Sequence, residues 1–238
     1  MVEPKSLYVN RYHWAIALIT LLCSDDTKVK EFLKEIWGKE IERKAIKIEI
    51  EIDDPKGYKA PDLVKLLDMI QGEEDLTAMG MSSFDIGEDY YSVTYCKKLY
   101  YMLYVLSMPV AGEEIGIQKA IKNINISIDG GIDLSNLSEG HKKRILIMLL
   151  TRILGDENTV YLFDEPDAHV DVAAKKKIME LIKSASGHVV MTTHSPIMTH
   201  WMDSKAVQTV TDGSIDKAEF EKLVSHLSDY QLASVNNF

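Results

Sequence analysis

Three groups of residues in the stretch 137–196 have the types and spacing to do chemistry, and their order along the chain is fixed. Ser138, Glu139 and Gly140 open an amphipathic segment. Asp164 and Glu165 follow the apolar run Thr159 to Phe163, and His194 follows a second apolar run, His188 to Thr193. A serine ahead of a helix caps its free N–H groups, and that end carries partial positive charge where an anion can bind. Gly140 lets such an anion come close to the backbone. Adjacent carboxylates at the end of a buried strand are costly unless a cation or a reaction uses them.

The elements that must position these groups are legible around them. Ile145, Leu146, Met148, Leu149 and Ile153 give the helix that Ser138 opens its apolar face. TVYLF reads as a buried strand stopped by Pro166, Val172 to Lys183 as a helix, and His188 to Thr193 as a second strand. Strand, helix and strand in so short a span make a right-handed parallel crossover, so the carboxylates and His194 emerge at one edge of one sheet. The carboxyl ends of parallel strands are where such sheets bind ligands.

Upstream, Tyr8 to Cys23 reads as a buried helix, since its run WAIALITLLC is too short to cross a bilayer and no small-residue cleavage site follows it. Val29, Phe32, Leu33, Ile36 and Trp37 mark an amphipathic helix. Ile46, Ile48, Ile50 and Ile52 alternate with polar residues, as do Ile124, Ile126 and Ile128, so both segments are strands with one wet face. Leu63 to Ile70 suggests a short helix, and the acidic segment 71–89 a loop. The tyrosines of 90–107 fall among Leu99, Leu103 and Leu106 and read as a core helix rather than a base-stacking surface. A strand from Ala206 to Thr211 and a helix from Ile215 to about Leu227 complete the chain.

The 238 residues, 46% hydrophobic and 27% charged, suffice for one sizeable core or two small ones. A net charge of -10 argues against a surface given over to nucleic acid. Cys23 and Cys96, two and far apart, fit buried thiols in a reducing, cytoplasmic setting better than a disulfide or a zinc site.

The residues of 137–196 resemble the C-terminal half of ABC-type ATPases, of the P-loop NTPase class. Leu137 to His141 is similar to the LSGGQ signature, Val160 to Glu165 to the Walker B strand with its glutamate, Asp171 to the D-loop aspartate and His194 to the switch histidine. Pro166 is followed by Asp167, Ala168 and His169, and His194 by Ser195 and Pro196, a pattern similar to the OLD, RecF and SMC group that acts on DNA or in phage defence. Asp171 stands where the OLD pattern has a second histidine and is closer to the transporter and SMC form.

The resemblance implies an α/β fold with a mostly parallel sheet flanked by helices, and a helical and β insertion before the signature helix. Residues 1–130 would form the N-terminal portion and 131–238 the C-terminal ATPase subdomain. Asp164 would bind Mg²⁺, Glu165 would orient or deprotonate the attacking water, and His194 would contact the γ-phosphate. Ser138, Glu139 and Gly140 would serve ATP held by another protomer in a head-to-tail dimer, with Asp167, His169 and Asp171 in the interface loop.

The pattern G-x-x-x-x-G-K-[ST] of a Walker A loop is absent from the 238 residues. GEEIGIQK, Gly112 to Lys119, has the wrong spacing and no hydroxyl after its lysine, and Gln71 and Gln118 lack the context of a glutamine loop. The expectation is a chain that is part of a longer or split protein, with Walker A supplied elsewhere and a nuclease domain or subunit as a neighbour, although no nuclease residues are visible. Lys142, Lys143, Arg144 and Lys175 to Lys177 do not decide DNA binding: the resemblance implies that the first set faces the dimer interface or a partner, and ordinary solvated helix faces explain both sets about as well. Competing functions are a non-hydrolysing assembly partner and a transporter subunit, the latter disfavoured by T-H-S-P.

Overall fold

The computed structural model describes residues 6–39, 46–52, 93–112, 116–118, 120–128, 132–133, 137–211 and 214–217. Two compact units divide the chain, Met1–Leu154 and Gly155–Phe238. The Ser138 helix lies in the first unit.

The first unit is built on α1 (Trp14–Cys23), entered through a 3-10 turn, Arg11–His13, that Asn10 caps. A helix apolar on all sides must be buried all round. Ala17, Leu18, Ile19 and Leu21 have no exposed surface, and each of the larger three contributes about 2 kcal/mol by leaving water. Against α1 pack α3 (Val93–Ser107), α4 (Glu139–Met148) and the π-helical continuation of α4, Leu149–Leu154. Val93–Ser107 of the tyrosine-rich segment is the core helix its pattern predicted, and residues 90–92 lie outside the described residues. Tyr100 is fully buried, and Tyr104 stacks on it with ring centroids 5.9 Å apart.

Asp26 caps α2 (Thr27–Trp37) through the N–H groups of Lys28 and Val29, and Gly38, at φ 68, ends it in the left-handed conformation that glycine tolerates. The alternating segments form β1 (Ile46–Ile52) and β4 (Ile121–Ile128), paired antiparallel with Ile48 opposite Ile126 and Ile50 opposite Ile124; β5 (Ile132–Asp133) adds to β4. β2 (Val110–Gly112) and β3 (Gly116–Gln118) form an antiparallel hairpin with Gly112 opposite Gly116. Of the GEEIGIQK segment, Gly112 ends one strand and Gly116–Gln118 is another, so a strand stands where a phosphate loop would lead into a helix.

In the second unit β6 (Val160–Phe163) and β7 (His188–Met191) are parallel, joined through α5 (Val172–Lys183), as the strand, helix and strand reading predicts. After β7 come the short helix α6 (Pro196–His200) and a hairpin of β8 (Gln208–Thr211) and β9 (Ser214–Lys217). Ile215 therefore lies in a strand where the sequence suggested a helix start. Residues 218–227 of that expected helix, and the 63–70 helix and 71–89 loop, lie outside the described residues.

The fold is mixed α/β, but among the described residues the sheets are small and only β6 and β7 run parallel. The coarser α/β expectation holds, and the described strands alone do not form the mostly parallel sheet. β1 and β4 alternate apolar and polar side chains, which suits an antiparallel pair with one face in water. The TVYLF strand is also only half buried: Tyr161 is 5% exposed while Leu162 is 76% exposed.

Candidate nucleotide site

Phe163 opposite Met191 is the last rung of the parallel pair, extended by Thr192 N–H donating to the Phe163 carbonyl at 2.9 Å. Beyond that rung the first strand turns. Glu165 sits at φ 42 and His169 at φ 60, left-handed conformations that cost a non-glycine residue about 1–3 kcal/mol unless the surroundings hold them. The Ala168 N–H closes the turn on the Glu165 carbonyl at 3.1 Å.

The remaining bonds come from the segment after β7. Thr192 Oγ1 accepts from the Glu165 N–H at 3.1 Å and donates to Asp164 Oδ1 at 2.7 Å. Neighbouring residues of an extended chain point to opposite sides, and Thr193 accordingly donates elsewhere, to Asp167 Oδ1 at 2.8 Å. Lys175, from the first turn of α5, reaches Asp167 Oδ2 at 3.3 Å and donates to Ser195 Oγ at 3.0 Å. The Ser195 N–H turns back to Thr193 Oγ1 at 3.0 Å. Two adjacent threonines and a serine thus fasten the His194 segment to the turn that carries the carboxylates.

His194 itself faces water, its side chain 85% exposed, with Nε2 3.2 Å from Glu165 Oε1. The structure therefore brings together Asp164, Glu165 and His194, all from the second unit. Asp167 is buried in the network below them, His169 is exposed, and Asp171 caps α5 by accepting from the Ala174 N–H at 2.9 Å. In the first unit Ser138 caps α4, accepting from the His141 N–H at 3.3 Å with its Oγ 2.8 Å from His141 Nδ1. Beside it Glu139 is exposed and paired with Lys142 at 3.3 Å, and Gly140 is buried.

The basic residues after Gly140 are not a solvated face throughout. Arg144 is 4% exposed, ion-paired with Glu35 at 2.9 Å and lying over the Phe32 ring. Lys175 likewise leaves the solvated set for the Asp167 network. Sequence reasoning missed Thr192, Thr193, Ser195 and Lys175 as parts of the site. The available signal was polar residues on both sides of the histidine, with a lysine one turn after the Asp171 cap.

The donor set can be tested against Mg²⁺. Among the described residues no group of three or more His, Cys, Asp or Glu side chains could hold a metal ion. Mg²⁺ commonly takes one or two carboxylates and completes its shell with phosphate oxygens and water. A lone exposed Asp164 at a strand end fits that use and does not fit a cage made of protein alone. Among the described residues no helix is long and apolar enough to cross a membrane.

Residues 112–198 match the family model described as AAA domain, putative AbiEii toxin, Type IV TA system. That span holds Ser138, Asp164, Glu165 and His194, and the match supports an ATPase of the P-loop kind. The chain is also similar to the chelated iron transport system membrane protein YfeB of Yersinia pestis, 31% identical over 93 residues, which are 38% of this chain. The aligned part spans 30% of that relative's length.

Proposed function

We propose that this chain is a nucleotide-hydrolysing module of the ABC-type, OLD, RecF and SMC-like kind, acting as a head-to-tail dimer with ATP between protomers. The observation that carries the reading is the convergence of Asp164, Glu165 and His194 where two parallel strands end, with Glu165 Oε1 3.2 Å from His194 Nε2. Mg²⁺ bound with ATP would supply charge neutralisation at the phosphates. Asp164 would hold it, Glu165 would orient or accept a proton from the attacking water, and His194 would contact the terminal phosphate. Ser138, Glu139 and Gly140 would serve the neighbouring protomer's ATP. The phosphate loop would come from a segment or partner outside these 238 residues.

The D-E-P-x-x-H and T-H-S-P residues favour a role in DNA repair or defence, in the cytoplasm, with DNA or a nuclease as partner. The toxin–antitoxin wording of the matched family inclines this toward defence. A second reading, a non-hydrolysing subunit that lends its signature helix to another ATPase, is favoured by the missing Walker A pattern alone.

The test is phosphate release by the assembly that co-purifies with the tagged chain, comparing wild type with Glu165→Gln. Loss of turnover, with ATP retained on the assembly in Mg²⁺, is expected of a hydrolase. Equal turnover in both would overturn that reading in favour of the non-hydrolysing one.

A further inference from the structure

Thr192 is a neutral side chain, yet its hydroxyl touches both acidic residues of the strand-end turn through separate bonds. It donates to Asp164 Oδ1 at 2.7 Å and accepts the Glu165 N–H at 3.1 Å. A hydroxyl has one proton to give, so the donation to Asp164 fixes the direction from which the Glu165 amide must approach. That amide belongs to a residue at φ 42, a conformation glutamate does not adopt without support. The backbone of Thr192 is itself pinned, its N–H on the Phe163 carbonyl at 2.9 Å, so the hydroxyl cannot drift with the turn.

We propose that Thr192 is a positioning residue for this site: it orients the Asp164 carboxylate toward a divalent cation and holds Glu165 in the left-handed turn that carries its carboxylate to His194. The inference rests on the hydrolytic reading of Asp164 and Glu165. Losing the hydroxyl removes the bond that orients the Asp164 carboxylate and the one Thr192 accepts from the Glu165 N–H. Cation affinity and the chemical step then suffer, while nucleotide binding by other segments does not.

The experiment uses the co-purified assembly with Thr192→Val, which keeps the side-chain shape, and Thr192→Ser, which restores the hydroxyl. Thr192→Val is expected to lower kcat on the order of 10–100-fold, as loss of a supporting hydrogen bond to a metal ligand does. It also raises the Mg²⁺ concentration needed for half-maximal turnover, with KM for ATP nearly unchanged, and Thr192→Ser recovers most of both. A thermal melt of each variant separates this from a structural role. Reduced activity with lowered Tm and an unshifted Mg²⁺ requirement would overturn the positioning role, as would full activity in Thr192→Val. Wild type and Glu165→Gln run alongside: if neither releases phosphate, the hydrolytic reading fails and takes the inference with it, whereas a difference between them leaves Thr192 to be judged by its own variants.

Discussion

Lys175 Nζ lies 3.3 Å from Asp167 Oδ2, and the Asp167 side chain is 4% exposed against 17% for the lysine. Asp167 also accepts from Thr193, and Lys175 also donates to Ser195, so one ion pair joins the turn after β6, the first turn of α5 and the two residues flanking His194. A carboxylate this deep in the protein is stable only while paired.

Lys175→Met leaves that carboxylate without its cation. Denaturant unfolding should show a loss of about 3 kcal/mol, at the low end for a broken buried pair because the lysine keeps some solvent. Lys175→Met combined with Asp167→Asn should recover a large part of it, since the amide carries no charge and its oxygen still accepts from Thr193. A double variant as unstable as the sum of the single ones would show that the pair is not coupled.

Arg144 and Glu35 form an ion pair with unequal burial, 5% against 45% side-chain exposure. Glu35→Ala strands a guanidinium that cannot reach water, whereas Arg144→Met leaves a glutamate that is half exposed. The expected order is a larger loss for Glu35→Ala, by about 1 kcal/mol or more. The reverse order in urea titrations would contradict this account.

Tyr100 is fully buried in α3 and its hydroxyl has no hydrogen-bond partner among the described residues. Removing an unsatisfied buried hydroxyl should help, and Tyr100→Phe is expected to raise stability by about 1 kcal/mol. Burial, reinforced by Tyr104 and Tyr101, also pushes the phenol well above its ordinary 10.0. The unfolded chain therefore loses this proton first as pH rises. Stability that is complete below pH 10.0 falls above it, by about 1.4 kcal/mol per pH unit from this group. Tyr100→Phe removes that slope, so parallel melts at pH 9 and about 11 should show wild type losing more than the variant.

Alternate residues of β6 should respond differently to truncation. Tyr161→Ala removes a ring 5% exposed that stacks on Phe163 with centroids 6.1 Å apart, and should cost about 3–5 kcal/mol. Leu162→Ala, at 76% exposure, should cost under about 0.5 kcal/mol. A large effect at Leu162 would mean that the exposed face is covered in solution.

Gly187 precedes β7 where a side chain has no room. An added Cβ would run into the Thr159 carbonyl, with the Asp156 carbonyl at 2.8 Å and the Tyr161 ring at 3.0 Å. Two of these neighbours are backbone and cannot swing aside, so Gly187→Ala should lose about 1–3 kcal/mol in calorimetric unfolding.

What the sequence determined is what depends on local pattern and on residue chemistry. The all-apolar run of α1, the period-2 isoleucines of β1 and β4 and the two apolar runs around α5 each state their element locally, because side-chain period fixes which face can be buried. The pair Asp164 and Glu165 and the later His194 announced a site for the same reason: charges at strand ends need a use. Contacts between distant segments were decided by tertiary structure. The parallel register fixed which threonine meets which carboxylate, so Thr192 and Thr193, alike in sequence, hold Asp164 and Asp167 respectively. Burial of Arg144 and partial burial of Lys175 depended on finding Glu35, 109 residues away, and Asp167 across a turn, pairings that no local period encodes. The hairpin at Gly112 and Gly116 came from strand pairing, which two glycines and a lysine in sequence do not specify.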